Sequence, residues 1–337
     1  MKIARSAGLI AALFTVAVSS QVHAEQSEVR ILVGKPLGYL TLQVMEYNEL
    51  YTKEAAAHGV PGLKVTFVTN LTGQYAVDAI LSGAVDIAQY SPDVLLTLWS
   101  KTTGTPQAIK GIIGKGAIEF VLNTRNPQIH SIHDFTDNDR IAVAGVKVSE
   151  EAMLLEMAAA KEFGDSNWGK LDNLTVTSGA PDAFAQLTSS VGQITADFTV
   201  PPYTYLEQQS PGIHRVLSSY DIIGGDLTSG VEFTTQKFHD ANPRLIAAFI
   251  DAMKDATNII THDRGGAIAA YYAESGDTTT KKEVIEMMLD DPHTNFNLAP
   301  TGIMKIADFM SKHGIISRMP SSWKDVFFPE VYGFNGS

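Results

Sequence analysis

Short apolar runs alternate with helix-spaced apolar positions from about residue 29 to residue 113. A short apolar run predicts a buried strand, and apolar residues three or four apart predict a helix with one buried face. Gly34-Lys35-Pro36 ends the first strand, and Ser82-Gly83-Ala84 ends a later helix. We predict strands at 29–33, 64–68, 85–88 and 109–113, and helices at 42–58, from about 72 to 81, and at 92–99. Alternation of strand and helix at this spacing is typical of a parallel, doubly wound sheet.

The same order recurs in the second part of the chain. A strand at 140–144 leads through the turn Gly145-Val146-Lys147-Val148 into a helix at 150–163. We predict further strands at 174–177 and 194–200, a helix at 181–189, and, beyond about residue 230, helices at 242–261, 265–274, 279–289 and 301–313 with few strand signals. The expected fold class is α/β, with two lobes, each a doubly wound, mainly parallel sheet, and extra C-terminal helices that pack on the first lobe.

No low-complexity stretch separates the two halves, so we expect extended connections rather than a flexible linker. The predicted first lobe spans 25–122 together with 231–337, the second spans 123–230, and the hinge lies near 119–124 and 228–234. Ligands of open parallel sheets sit beyond the carboxyl ends of the strands, so two facing sheets would form a cleft. Functional residues are therefore expected in the loops that follow the strands.

Residues 1–24 have the three regions of a secretory signal. Lys2 and Arg5 are followed by an apolar stretch at 7–18 and by Val22-His23-Ala24, with small residues suited to cleavage. The apolar stretch is short of the ~20 residues that span a bilayer. A buried N-terminal helix is the alternative interpretation. We predict a cleaved signal peptide and a soluble, periplasmic mature protein.

Composition excludes several classes of function. The 337 residues include no Cys, which excludes disulfides, thiolate metal sites, a cysteine nucleophile and a lipid-anchored cysteine. Charged residues make up 18% and apolar residues 45%, as in an ordinary globular protein. A net charge of −12, which becomes more negative when Lys2 and Arg5 are removed, argues against nucleic acid as a partner.

Catalytic and cofactor motifs fail on inspection, and we predict no catalytic residue, no metal and no cofactor. The segment 164–171 nearly matches a phosphate-binding loop, but Leu171 stands where Ser or Thr must hold magnesium. The glycines of 111–116 are in the wrong order for a dinucleotide site. His130, His133 and Asp134 could face one metal, and a polar surface loop explains them equally well.

Helix N-termini that follow strands are the remaining candidate sites. Backbone N–H groups and the helix dipole at Thr72, Gly73, Gln74 and Tyr75 are suited to an anion, although simple N-capping by Thr72 accounts for the same pattern. Ser91 and Ser149 begin two further helices, the second with Glu150 and Glu151 in its first turn. These acids either stabilise the helix alone or face a donor-bearing end of a ligand, a role open to Glu150 or Asp197.

Six segments of the chain, taken in order, form a characteristic series: 29–33, 38–40, 81–88, 132–135, 141–145 and 192–197. Together with the ending at 302–310 and 322–328, they resemble the periplasmic substrate-binding proteins of ABC importers. The most similar branch binds nitrate, sulfonates and taurine and includes thiamine-pyrimidine-synthesis-like proteins. The resemblance implies a type II periplasmic binding protein fold, whose two lobes close on a small ligand. Its implied partners are an inner-membrane ABC permease and the cytoplasmic ATPase of that permease, and the protein is expected to be a monomer.

The family pattern implies ligand contacts in the loops between the lobes. The implied positions, together with the charged candidates above, are Gly38, Tyr39, Leu40, Thr72, Gly73, Gln74, Gln89, Tyr90, Ser91, Lys147, Ser149, Glu150, Asp197, Thr199, Pro202 and Tyr203. This chain departs from the family at Lys147 and the two acids after it, where small hydroxyl residues are common. Val200-Pro201-Pro202-Tyr203 also replaces the commoner Trp-Glu-Pro-Tyr arrangement.

The function expected from this resemblance is the capture of a small organic anion or zwitterion, similar to a sulfonate or taurine, for delivery to a permease. Nitrate and a pyrimidine or other vitamin precursor are alternative ligands. A sensor-associated binding module and a pyrimidine-synthase-like enzyme are alternative functions, and we expect no enzymatic activity.

Overall fold

The computed structural model describes residues 25–69, 73–189 and 191–337. The predicted signal peptide and Thr72 lie outside these residues. The strands are β1 (Glu28–Val33), β2 (Lys64–Thr69), β3 (Ile87–Tyr90), β4 (Ile109–Gly114), β5 (Val121–Thr124), β6 (Ile141–Val143), β7 (Thr175–Thr177), β8 (Ala196–Thr199), β9 (His214–Ser218) and β10 (Val231–Thr235).

Helices connect and cover these strands. They are α1 (Leu40–Tyr47), α2 (Leu50–Ala57), α3 (Gly73–Ser82), α4 (Pro92–Thr102), α5 (Glu150–Phe163), α6 (Ala180–Thr188), α7 (Tyr203–Gln208), α8 (Ser219–Ile223), α9 (Gln236–Ala241), α10 (Pro243–His262), α11 (Arg264–Ser275), α12 (Lys282–Asp290), α13 (Ile303–Lys312) and α14 (Trp323–Val326). In the described part of the chain, no helix combines the length and apolarity needed to span a bilayer.

The first sheet has the strand order β2-β1-β3-β10-β4. Strands β1, β2 and β3 are parallel, whereas β10 is antiparallel to both of its neighbours, with Val231 opposite Tyr90 on one side and Gly114 on the other. The second sheet has the order β7-β6-β8-β5-β9, and here β5 is the antiparallel strand. Each sheet is therefore mainly parallel, as predicted, with one antiparallel strand inserted next to an edge strand.

The chain passes between the two sheets twice. It leaves the first sheet after β4 and enters the second at β5, and it returns between β9 and β10. The two passages touch each other, because Ala117 forms an antiparallel bridge with Thr228 and Ser229 N donates to Gly116 O at 2.9 Å. Gly116 has a φ of +102° and lies against the backbone of Asn295, so no side chain fits there.

Most C-terminal helices pack on the first sheet and its helices. Helix α10 packs on α1 and α2, α11 packs on α1, and α13 packs on α4. Helix α12 contacts α7, which packs on the second sheet, and it is also joined to α11 by the ion pair between Arg264 and Asp290. The last segment is held on β4, where Phe328 N donates to Gly111 O at 2.9 Å and the Phe327 ring covers Gly111.

Several predicted element bounds differ from the structure for local reasons. The predicted helix at 42–58 is two helices, because Glu49 has a left-handed φ of 53° and the Asn48 side chain donates to Val44 O. Strand β3 begins two residues later than predicted, and Asp86 instead accepts a hydrogen bond from the backbone N–H of Arg30 at 2.8 Å. The sequence prediction missed β9, α7, α8 and α9, and it assigned β5 and β10 to connecting segments.

Candidate functional site

A cavity of about 190 Å³ lies between the two sheets. Its walls come from both sheets and from the two passages between them. The lining residues are Pro36, Gly38, Tyr39, Gln89, Tyr90, Ser91, Lys115, Ile118, Phe120, Ala144, Ser149, Glu150, Glu151, Val200, Pro201 and Ser229. Two other cavities, of about 220 and 270 Å³, are each lined by residues of one sheet and its helices. Only the cavity between the sheets, among these three, lies where the carboxyl ends of parallel strands from both sheets meet.

Neighbouring residues in the sequence explain the positions of one aromatic ring and of two helix starts at this cavity. The Tyr39 ring lies against Gly34, where an added Cβ would be 2.3 Å from the ring, so Gly34 is needed for this ring position. Pro92 occupies the first turn of α4, directly after Ser91. Ser149 is the N-cap of α5, and its side chain accepts a hydrogen bond from Ala152 N at 3.3 Å. Two helix N-termini, one from each sheet, therefore border the cavity.

Lys115 is the one lysine or arginine among the cavity-lining residues, and it is 7% exposed. Its ammonium donates to Gly38 O and lies 5.2 Å from the centroid of the Tyr39 ring. With the Gln89 amide oriented to satisfy both neighbours, its oxygen accepts from Lys115 Nζ at 3.1 Å and its nitrogen donates to Glu232 Oε1 at 3.0 Å. Burial lowers the pKa of Lys115 and raises the pKa of Glu232.

Carboxyl groups dominate the electrostatics of the cavity. Glu150 is 7% exposed, and its Oε1 has no hydrogen-bond partner among the described residues. Burial, followed by the nearby charges of Asp93 and Glu151, raises the pKa of Glu150 well above its ordinary value, and Lys115 opposes this shift. Burial also raises the pKa of Glu151 and of Asp93. These groups lie near one another in an environment that favours their neutral forms.

Asp197 on β8 and Glu207 on α7 form a second group of acids, inside the second lobe. Glu207 is fully buried and accepts a hydrogen bond from Asn123 Nδ2 at 2.9 Å. Burial and the interaction with Glu207 raise the pKa of Asp197 well above its ordinary value. Neither residue lines the cavity. This arrangement is typical of two carboxyl groups that share a proton.

The structure brings together seven of the predicted site residues at the cavity. These are Gly38, Tyr39, Gln89, Tyr90, Ser91, Ser149 and Glu150. Leu40 is in the hydrophobic core, and Asp197, Thr199 and Pro202 are buried outside the cavity wall. Tyr203 packs against Phe184, with ring centroids 5.9 Å apart. Helix α3 begins with Gly73 and Gln74, whose surroundings lie outside the described part of the structure.

Lys147 is directed away from the other predicted site residues. It has a left-handed φ of 63°, and its ammonium pairs with Asp172 Oδ2 at 3.2 Å. Its side chain is 64% exposed and does not line the cavity. The left-handed backbone redirects the loop after Gly145, which the sequence pattern does not reveal.

Sequence reasoning missed Lys115, Phe120 and Glu232. Lys115 follows the buried strand β4 directly, so the rule that ligands sit beyond the carboxyl ends of strands would have indicated it. Glu232 is a charged residue between the buried Val231 and Phe233, a pattern that indicates a constrained polar group within a strand. Phe120 carries no comparable signal.

Three groups of residues have the ligand types of a metal site. The predicted alternative of His130, His133 and Asp134 is explained by local structure, because Asp134 completes a capping box with Ser131 and His133 pairs with Glu162. Two other groups bring carboxylates and a histidine within 4.8 Å of one another. They are Glu54, His58 and Asp251, and Glu119, Asp291 and His293. In the first group His58 Nε2 is hydrogen-bonded to Asp251 Oδ2 at 2.9 Å, and in the second Glu119 pairs with Arg215 at 3.0 Å.

Solved structures of binding proteins have a similar fold. The alkanesulfonate-binding protein SsuA from Xanthomonas axonopodis pv. citri, bound to MOPS, has a TM-score of 0.67 and 18% identity over 88% of this chain and 96% of that chain. The periplasmic aliphatic sulphonate binding protein SsuA from Escherichia coli has a TM-score of 0.65 and 16% identity, covering 90% and 92%. The periplasmic nitrate-binding protein NrtA from Synechocystis PCC 6803 has a TM-score of 0.64 and 12% identity, covering 89% and 85%.

These likenesses confirm the predicted fold class, the two-lobe fold of periplasmic binding proteins. None of the curated proteins matches the chain in sequence. A family model, described as NMT1/THI5 like, matches residues 60–265. The matched segment includes strands of both sheets and the α5 side of the cavity, and it amounts to more than half of the 337 residues. The chain therefore belongs to the NMT1/THI5-like family.

Proposed function

We propose that this protein is the solute-binding component of an ABC-type importer and acts in the periplasm. The observation that carries the proposal is the cavity between the two sheets, whose walls include Tyr39 and Gln89 from one and Ser149 and Glu150 from the other. A solute in this cavity touches both lobes and therefore stabilises the arrangement in which they are close. That arrangement is the one that an inner-membrane permease, with its cytoplasmic ATPase, would recognise.

The size and walls of the cavity support a small organic solute. A volume of about 190 Å³ is smaller than the cavities that hold drug-sized ligands, which start near 300 Å³. Tyr39, Tyr90 and Phe120 offer ring surface, while Ser91 and Glu150 offer polar atoms. Among the solutes expected from the sequence, the acidic wall favours one that carries an amino group, such as a taurine-like zwitterion, over nitrate or a simple sulfonate.

Binding rather than catalysis is the proposed activity. The solved proteins of similar fold named above are binding proteins by description. The proposed hinge consists of the two passages between the sheets, which are joined by the bridge between Ala117 and Thr228. Rotation about two adjacent extended segments changes the distance between lobes without unfolding either sheet.

Solute-driven closure can be measured by fluorescence energy transfer between two labels. The chain has no Cys, so Lys53→Cys on α2 and Asn138→Cys before β6 would label only the two chosen positions, both of them exposed. We expect taurine or another small amino-bearing solute at millimolar concentration to change the transfer efficiency.

The matched control carries both labels on the first lobe, at Lys53→Cys and Lys237→Cys. Its transfer efficiency should stay constant, because both positions move together. If taurine, ethanesulfonate, nitrate and an aminopyrimidine all leave the efficiency of the two-lobe pair unchanged, the proposed closure is wrong.

A further inference from the structure

We propose, building on the proposed function, that the bound solute presents a positively charged nitrogen to Glu150 and Glu151 at the start of α5. The protein would then select cationic or zwitterionic nitrogen compounds over simple anions of the same shape. The sequence-based expectation of a small organic anion or zwitterion is thereby narrowed to solutes that carry a cationic nitrogen.

In the described part of the chain, the helix starts that border the cavity already carry the protein's own carboxyl groups. The N-termini of α4 and α5 border the cavity from opposite sides, and helix N-termini favour negative charge. The first turn of α4 contains Asp93, and the first turn of α5 contains Glu150 and Glu151. A sulfonate placed at either helix start would meet carboxyl groups, which repel it when ionised and offer at most one donor each when protonated.

An unpartnered buried carboxyl oxygen is the second, independent observation. Glu150 is 93% removed from solvent, yet its Oε1 makes no hydrogen bond to any described residue. A buried acceptor without a partner is destabilising, so its retention beside a cavity indicates a group that arrives with the ligand. An oxygen acceptor in this position calls for an N–H or O–H donor, and a charged donor makes the stronger bond.

The cationic side chain at the cavity is largely engaged. Two of the three ammonium hydrogens of Lys115 are directed to Gly38 O and, in the oriented amide, to the Gln89 oxygen. Lys115 therefore has at most one hydrogen left for the ligand, suited to an acceptor on a zwitterion. Tyr39, Tyr90 and Phe120 also line the cavity, and the faces of aromatic rings attract a cation more than an anion.

The charged and titratable groups around Glu150 give the binding a definite pH dependence. Asp93 of α4, Glu151 of α5, Lys115 after β4, Glu232 of β10 and the two tyrosines of the cavity face this region. Burial raises the pKa of Glu150 in the free protein. A bound cation favours the ionised carboxylate and lowers this pKa, so binding releases a proton. Affinity for a cation thus rises with pH, whereas affinity for an anion would fall.

The test compares compounds that share a shape and differ in charge. Benzamidinium and benzoate form one pair, and taurine and ethanesulfonate, which differ by an amino group, form the other. With the full chain and each compound at about 10 mM, we expect benzamidinium and taurine to raise the Tm by about 2 °C or more and their anionic counterparts to have no such effect. The benzamidinium effect should increase from about pH 5 to about pH 8.

Variants of one helix provide the control. Glu150→Gln keeps the shape and removes the charge, and it should weaken benzamidinium binding at least about tenfold and abolish the pH trend. Glu156→Gln is matched to it, because Glu156 is on the same helix, is also 7% exposed and has a pKa that burial raises to about 7, but it does not line the cavity. Glu156→Gln should bind as the unchanged protein does. If Glu150→Gln fails to fold, Glu151→Gln carries the same test.

Three results would overturn the proposal. In the first, an anion raises the Tm as much as its cationic counterpart. In the second, benzamidinium raises the Tm of a folded Glu150→Gln variant as much as that of the unchanged protein. In the third, neither benzamidinium nor taurine raises the Tm. If benzoate or ethanesulfonate closes the lobes in the fluorescence experiment, the proposed solute-binding function stands and only the nitrogen cation is wrong. If no compound closes the lobes, both proposals fail.

Discussion

Glu207 and Asp197 place two carboxyl groups against each other in the interior of the second lobe. Glu207 is fully buried, and Asn123 donates a hydrogen bond to its Oε2. Burial raises the pKa of Glu207 to about 7. Between the ordinary pKa of a glutamate and this value, the folded protein holds a proton that the unfolded chain has released. The free energy of unfolding therefore falls as pH rises through this window.

Glu207→Gln should remove much of this pH dependence. The amide oxygen can still accept from Asn123, and the amide nitrogen can donate to Asp197 without carrying a charge. We expect the variant to unfold with a free energy about 1–3 kcal/mol higher than the unchanged protein at pH 8, and with little difference near pH 4.5. Urea unfolding at several pH values measures this. Glu283→Gln, an exposed position on α12, is the control, and an equal gain there would contradict the prediction.

The cavity residues that the sequence predicted best are those whose position depends only on neighbours within one helical turn. Ser149 and the acids after it were recognised because an N-cap acts on the backbone three residues away, as the bond from Ala152 N to Ser149 Oγ shows. Lys115 and Glu232 are joined through Gln89, and these three residues come from three different strands or strand ends. Such a contact depends on the strand order, which the local pattern does not contain.

At the scale of elements, the segment around α14 fixes the end of the chain to the first sheet. Phe327 is fully buried against Gly111, where an added Cβ would be 2.4 Å from the ring. Trp99 Nε1 on α4 donates to Asp325 O at 2.9 Å, and Phe328 N donates to Gly111 O. These bonds join the segment to both β4 and α4.

Phe327→Ala should destabilise the protein strongly. Removing a fully buried phenylalanine side chain leaves a cavity on β4 and is expected to lower the free energy of unfolding by about 3–5 kcal/mol. Phe334→Ala, a partly buried ring in the same terminal segment, should have less than half this effect. Chemical denaturation of both variants measures the difference, and similar losses would show that the packing on Gly111 has no special weight.

The bounds of a helix were predictable where the sequence has a clear N-cap residue and a glycine at its end. Helix α5 begins and ends where the pattern predicted, because Ser149 caps its start and Gly164, with a φ of 88°, ends it. Strand β10 was assigned to a connection because the run at 228–234 is short and mixes polar with apolar residues. Its polar residues Glu232 and Thr234 are nevertheless fully buried, since β10 lies between β3 and β4. Only the sheet order explains that burial.

At the scale of the whole molecule, the net charge and the carboxyl groups at the cavity favour the same kind of solute. The net charge of −12 opposes the capture of an anion and favours the approach of a cation. When they are ionised, the carboxyl groups at the cavity have the same sign as this overall field. A solute with a positive nitrogen would therefore be attracted both at a distance and at contact, which no simple anion would be.

The inserted strand β10 makes the assembly of the first sheet depend on the second. Strands β5 to β9 are consecutive in the chain, so the second sheet can form from residues 121–218 alone. The first sheet requires β10, which follows that whole segment and joins β3 to β4. Closing so long an unfolded loop is entropically unfavourable, and prior folding of the second sheet would bring Ala117 and Thr228 together.

Pulsed hydrogen exchange during refolding tests this order. We expect backbone amides of β5 and β8 to become protected before those of β10. Simultaneous protection of all three strands, or earlier protection of β10, would contradict it.

The position of β10 also determines whether a shortened chain can complete the first sheet. A chain that stops before residue 231 has every strand of the second sheet but lacks the strand that connects β3 with β4. Such a fragment would expose two unpaired strand edges on the first lobe, which are surfaces for association with other chains. The last third of the sequence is therefore a requirement for a closed, non-aggregating first lobe.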